Sequence, residues 1–135
     1  MKKLLAMLAT IVLTGLANPV NAGEFAELRV LLTAARESLV SMLVNKDKRG
    51  SEQQKIVKDT ADAVSAKLAK MKAPAGKEAQ FKELVDNWNA FKETRENELV
   101  PAILKGNDDE AKKIAGGIQK ERYTKCQTIT SELDI

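Results

Sequence analysis

The feature that most constrains this chain is a three-four rhythm of apolar residues that recurs in four separate segments. Phe25, Leu28, Leu32, Ala35, Leu39 and Met42 keep it in the first, and Val57, Ala61, Val64, Leu68 and Met71 in the second. Phe81, Leu84, Trp88 and Phe91 continue it in the third, and Ile114, Ile118, Cys126, Ile129 and Leu133 in the fourth. At 3.6 residues per turn this spacing lays one apolar stripe along a helix, whereas a half-buried strand needs strict alternation. Interruptions rich in glycine, proline or charge fall at residues 46–51, 73–76 and 106–108, where chain reversals are expected. Helices of ~20 to 28 residues span roughly 30 to 42 Å. Four of them joined by short loops predict an all-α fold, an antiparallel up-down-up-down four-helix bundle over residues 23–135.

The helix ends carry their own signals. Ser51 with Gln54, and Asn107 with Glu110, have the spacing of a capping box. Gly50 and Gly106 stand where a helix often closes in the left-handed conformation that only glycine adopts without strain. Pro101 interrupts the third pattern; it lacks an amide hydrogen and is expected to bend the helix or start a new turn. Gly116 and Gly117, adjacent inside the fourth pattern, each cost ~1 kcal/mol relative to alanine in a helix. They predict either a close helix approach or a gap.

Residues 1–22 read as a cleaved signal peptide. Lys2 and Lys3 start it, an apolar run over residues 4–17 follows, and Val20 and Ala22 supply the small residues of a cleavage site after Ala22. The run falls short of the ~20 residues that cross a hydrocarbon core. The expected product is a periplasmic chain with no membrane span. Removal of two lysines reduces a net charge that is only +3 for the whole chain. That is too balanced for a nucleic-acid binder resting on many phosphate contacts.

The absence of histidine removes imidazole acid/base chemistry, His-containing zinc sites and His-ligated haem. No nucleophile sits beside a base in the sequence, so no catalytic residue, metal ligand or cofactor is predicted and the chain is not expected to be an enzyme. Cys126 is the one cysteine. It is read as a small apolar core residue, with an intermolecular disulfide as the alternative.

Continuing the rhythm past Phe91 lands on Arg95, and running it from Ile118 towards Cys126 lands on Arg122. Both arginines thus fall on a core-facing seam, where a permanent cation needs a carboxylate, an aromatic face, water or a bound anion. Glu96, Glu98 and Glu121 are the sequence-near acids. Folding the last two helices back about Gly106 sets Trp88 against Tyr123 and Arg95 against Gly116. Arg95, Arg122, Trp88 and Tyr123 are therefore the candidate ligand-binding residues, with a gap at Gly116 facing Arg95 as the expected site. Arg29 and Arg36 form a second basic line on the first helix, read as surface ion pairing.

Trp88, Asn89, Ala90 and Phe91, followed by Arg95, Leu99 and Pro101 and then by Leu104, Lys105, Gly106, Asn107, Asp108 and Ala111, resemble the four-helix ligand-sensing domain of methyl-accepting chemotaxis receptors. In that family an aromatic-bearing third helix ends at a Gly-Asp or Gly-Asn turn with an alanine a few residues later. The resemblance implies extracytoplasmic sensing of a small molecule by a bundle that often dimerises, here expected as a stand-alone secreted form. A weaker resemblance, to the four-helix cytochromes, rests on a methionine in the first helix and Cys126 near the end. Gln127, Thr128 and Ile129 follow that cysteine where a haem-attachment motif would have histidine, so a haem-less relative is what this second resemblance implies. The expected function is a sensor-like module binding a small anionic or amphipathic ligand, or a membrane receptor. A ligand-free protein that dimerises through its helical faces is the alternative.

Overall fold

A computed structural model describes residues 22–134, and among them the fold is all-α, with no strand. The predicted leader lies outside the described residues except for Ala22, where α1 (Ala22–Val44) begins. A 3-10 turn (Lys46–Lys48) leads to α2 (Ser51–Lys70), and a loop containing Pro74 and Gly76 leads to α3 (Glu78–Thr94). A π turn (Arg95–Leu99) joins α3 to the short α4 (Val100–Leu104), followed by α5 (Asp108–Gly116) and α6 (Ile118–Leu133). The most extensive contacts are between α1 and α2 and between α3 and α6, with α1 also lying against α6. No helix among the described residues is long and apolar enough to cross a membrane.

Every stripe residue named above in the first two segments is buried, as are Leu84, Trp88 and Phe91 of the third. They build two adjoining cores. The larger holds Phe25, Leu28, Leu32, Val64, Leu84, Trp88, Phe91, Cys126 and Ile129. The smaller, around Leu39, Met42, Val57, Leu99 and Ile103, is closed by Ala111 of α5. Burial of Leu-sized side chains contributes about 1.5 to 3 kcal/mol each, which offsets helix nucleation that no single segment overcomes alone.

The fourth segment departs from expectation. Gly117 leaves the helical region at φ −101° and ψ −109°, so what reads as one helix is two. A Cβ at Gly117 would sit 2.8 Å from the Lys113 carbonyl oxygen, which explains the glycine. The break rotates the next turn. Ile118, expected in the core, is 44% exposed, and Gln119 takes the buried place at 2%.

The ends also differ from expectation in part. Gly106 has φ +80° and its turn closes as predicted, with Asn107 N–H donating to the Ala102 carbonyl. Gly50 is instead an extended residue with φ −81° ahead of α2, and Ser51 is already helical, so the Ser51–Gln54 box does not form. Gln54 donates to the Arg49 carbonyl. Asn107 caps α5 in position only, without a side-chain hydrogen bond. The tertiary clamp here is Arg49. Its guanidinium donates to the carbonyls of Met42, Leu43 and Ile103 and to Asp108 at 3.0 Å, so one side chain ties the end of α1 to α4 and α5.

Candidate functional site

Pro101 sets the geometry at the third helix. Without an amide hydrogen it leaves the preceding turn short of a donor, and the chain widens: the Val100 N–H donates to the Arg95 carbonyl, five residues back. Arg95 and Leu99, at the two ends of this turn, are both buried. Arg95 is 1% exposed. Its Nη2 donates to the Val57 carbonyl of α2, while Nε and Nη1 have no partner among the described residues. Burial lowers its pKa to about 10, against the weaker opposing pull of Glu96 and Asp62. The group therefore keeps its charge at neutral pH.

Trp88 occupies the same seam, with its Nε1–H donating to Ser65 Oγ of α2 at 2.9 Å. Arg122 lies elsewhere. It bridges back to α3, donating to Thr94 Oγ1 at 2.7 Å and to the Ala90 carbonyl at 3.2 Å. Tyr123 faces α1: its hydroxyl lies 3.3 Å from Thr33 Oγ1 of that helix and accepts from Gln127 of its own helix at 2.8 Å. The aromatic link between Trp88 and Tyr123 runs through Phe91, stacked on Trp88 at 5.5 Å and tilted against Tyr123 at 6.4 Å. The four candidates thus divide: Trp88 and Arg95 face α2, Arg122 is spent on α3, and Tyr123 faces α1. The cation over the Tyr123 ring is Arg36, 5.1 Å from its centroid.

Gly116 does line a gap, but Arg95 does not face it. The groove, about 310 Å³, runs between α1, α5 and α6, and Leu39, Leu43, Phe91, Leu99 and Ala115 form its apolar wall. Its rim carries Tyr123, Gln119 and three cations, Arg36, Lys112 and Lys120. No carboxylate lines it. None of the three cations makes an ion pair among the described residues. Arg29, its companion in the basic line, behaves as expected and pairs with Asp134 at 2.9 Å. A larger hollow of about 550 Å³ on the other side of Gly117 is edged by Glu83, Glu121 and Glu132 as well as Lys120 and Lys125. Three carboxylates against two lysines leave it with one net negative charge, so it does not favour an anion.

The sequence reading missed Lys112, Lys120 and Gln119, and treated Arg36 as ordinary surface charge. The four-residue steps from Lys112 through Gly116 to Lys120 were the available signal, since one face would hold all three. Gln119 had none, because only the Gly117 break turns it inward, where it donates to the Phe91 carbonyl at 2.9 Å. Among the described residues no three acidic or cysteine side chains converge as metal ligands. Cys126 is buried in the larger core, and burial pushes its thiol up to about 12, which suppresses the thiolate that redox chemistry needs. Comparison with protein-family models, with curated proteins and with solved structures gave no match.

Proposed function

We propose that this chain is a secreted, sensor-like binding module, an antiparallel up-down-up-down four-helix bundle that holds a small anionic or amphipathic ligand in the groove between α1, α5 and α6. The observation that carries the reading is the rim of Arg36, Lys112 and Lys120, three cations with no acidic partner over an apolar wall. On α1 and α2, Arg29, Lys55, Lys58 and Lys67 each stand against a carboxylate, while Lys70 does not among the described residues; what sets the groove apart is that three such cations share one apolar-walled rim. An anion entering the groove meets positive charge that no internal acid has neutralised.

The bundle arrangement draws support from the pairs between helices. Lys67 meets Glu27 and Gln53 meets the Ser38 carbonyl, so numbering falls along α1 as it rises along α2. Gln80 with Glu132 and Arg122 with Ala90 give the same sense to α3 and α6. The secreted location rests on the leader-like residues 1–22, and the sensing role on the resemblance of the Trp88–Ala111 region to chemoreceptor sensing domains. Such a module acts by presenting its ligand-bound surface to a membrane receptor.

A thermal-shift screen of small anions against the chain tests this. The expected result is a rise in melting temperature for some anions that is lost in Arg36→Gln. Val30, 67% exposed on α1, favours the alternative of a ligand-free dimer joined through helical faces. A dimer in size-exclusion chromatography whose melting ignores every small molecule would decide for that alternative.

A further inference from the structure

Resting on the binding reading above, we infer that the groove takes an amphipathic anion: a short unbranched or flat apolar body carrying one anionic head, and neither a fully hydrophilic anion nor a neutral apolar molecule. Two halves of the groove carry this. Leu39 and Leu43 of α1, Leu99 of the π turn and Ala115 of α5 offer a continuous apolar wall with no polar side chain among them. A hydrophilic anion such as acetate or phosphate leaves that wall wet and gains nothing from it. The head group belongs at the other half, where Arg36 lies over the Tyr123 ring and Lys112 and Lys120 share the rim.

The cation–π contact with the Tyr123 ring leaves the Arg36 N–H donors unused, so the guanidinium fork is free to meet a planar anionic head. The lysines, on flexible stems, adjust to the head and exclude a cation. The volume of about 310 Å³ stands at the small end of ligand sites, roughly 300 to 1,000 Å³. The apolar body is therefore short.

Isothermal titration with acetate, butanoate, hexanoate and octanoate, and with octylamine and octanol, tests the class on the chain without its leader. Affinity is expected to rise about two- to fourfold per added methylene, the burial of one CH₂ in a partly open groove. Octylamine is expected to bind at least about tenfold more weakly than octanoate, because it meets three like charges. Arg36→Gln should weaken octanoate about five- to tenfold. Ala115→Phe should abolish binding by filling the wall, while Lys58→Gln, an equal loss of charge on α2, should leave it unchanged. Circular dichroism on each variant confirms that the helices are retained.

Acetate binding as tightly as octanoate, or octylamine matching it, overturns the amphipathic class while leaving a binding module intact. Full octanoate affinity in Ala115→Phe places the ligand elsewhere and overturns the site. No response to any carboxylate, together with no response in the wider anion screen, overturns the binding reading itself.

Discussion

The seam between α2 and α3 and the groove between α1, α5 and α6 each hold a guanidinium with no carboxylate partner among the described residues, yet the two differ in what surrounds it. Arg95 is enclosed, with two of its nitrogens left without a hydrogen bond. Arg36 is exposed to solvent. Burial makes the first arginine costly to the fold, and exposure makes the second cheap and available to a partner. A cation on a core-facing position therefore does not mark a binding site by itself; access decides that.

The largest effect expected from this contrast is at the seam. Trp88→Ala should cost about 3 to 5 kcal/mol, from the cavity and the orphaned Ser65 hydroxyl, read as a fall in urea midpoint. Arg95→Met should act in the opposite direction and stabilise by about 1 to 3 kcal/mol, since an apolar side chain of similar length removes an unsatisfied buried charge. A marked loss of stability in Arg95→Met would show that the guanidinium is satisfied in solution and would erase the contrast. Gly117→Ala should destabilise by about 1 to 3 kcal/mol, because its Cβ meets a backbone oxygen that cannot step aside. Its helical content and melting temperature report this.

The first turn of α5, outside the groove, gives a pH prediction. The Arg49 guanidinium beside Asp108 holds that carboxyl below its ordinary value. A depressed folded-state pKa means stability that is present above the unfolded carboxyl pKa, about 3.9, and lost as pH falls through the lower folded value. Asp108→Asn should therefore melt earlier than the unaltered chain near neutral pH, and the gap should close below about pH 4. The smallest effect belongs to the groove: Arg36→Gln should change stability by under about 0.5 kcal/mol, in contrast to its effect on ligand binding.

Much of this was legible in the amino-acid order. The stripes of α1 and α2 are buried throughout, because period and hydrophobicity suffice wherever a helix runs unbroken. The Gly106 reversal was legible too, since a positive φ is a local property. The capping boxes at Ser51 and Asn107 were not, because the same residues form helix ends with or without side-chain bonds and Arg49 supplies the tie from a distance. Among the site candidates, Tyr123 reached the groove while Arg95, Trp88 and Arg122 did not. Which way each turned depended on which helix packed against it, and for Arg122 and Tyr123 on the Gly117 break that begins α6.

Local order therefore determined the helices, their apolar faces and the positions where the chain turns, since these follow from side chains a few residues apart. Tertiary packing decided which cation is entombed and which meets water, and brought Arg36, Lys112 and Lys120 to one rim. The placing of Lys120 depends on the Gly117 break, which redirects every side chain beyond it, and the placing of Arg36 on which helices pack beside α1. Their consequences appear only when the helices meet.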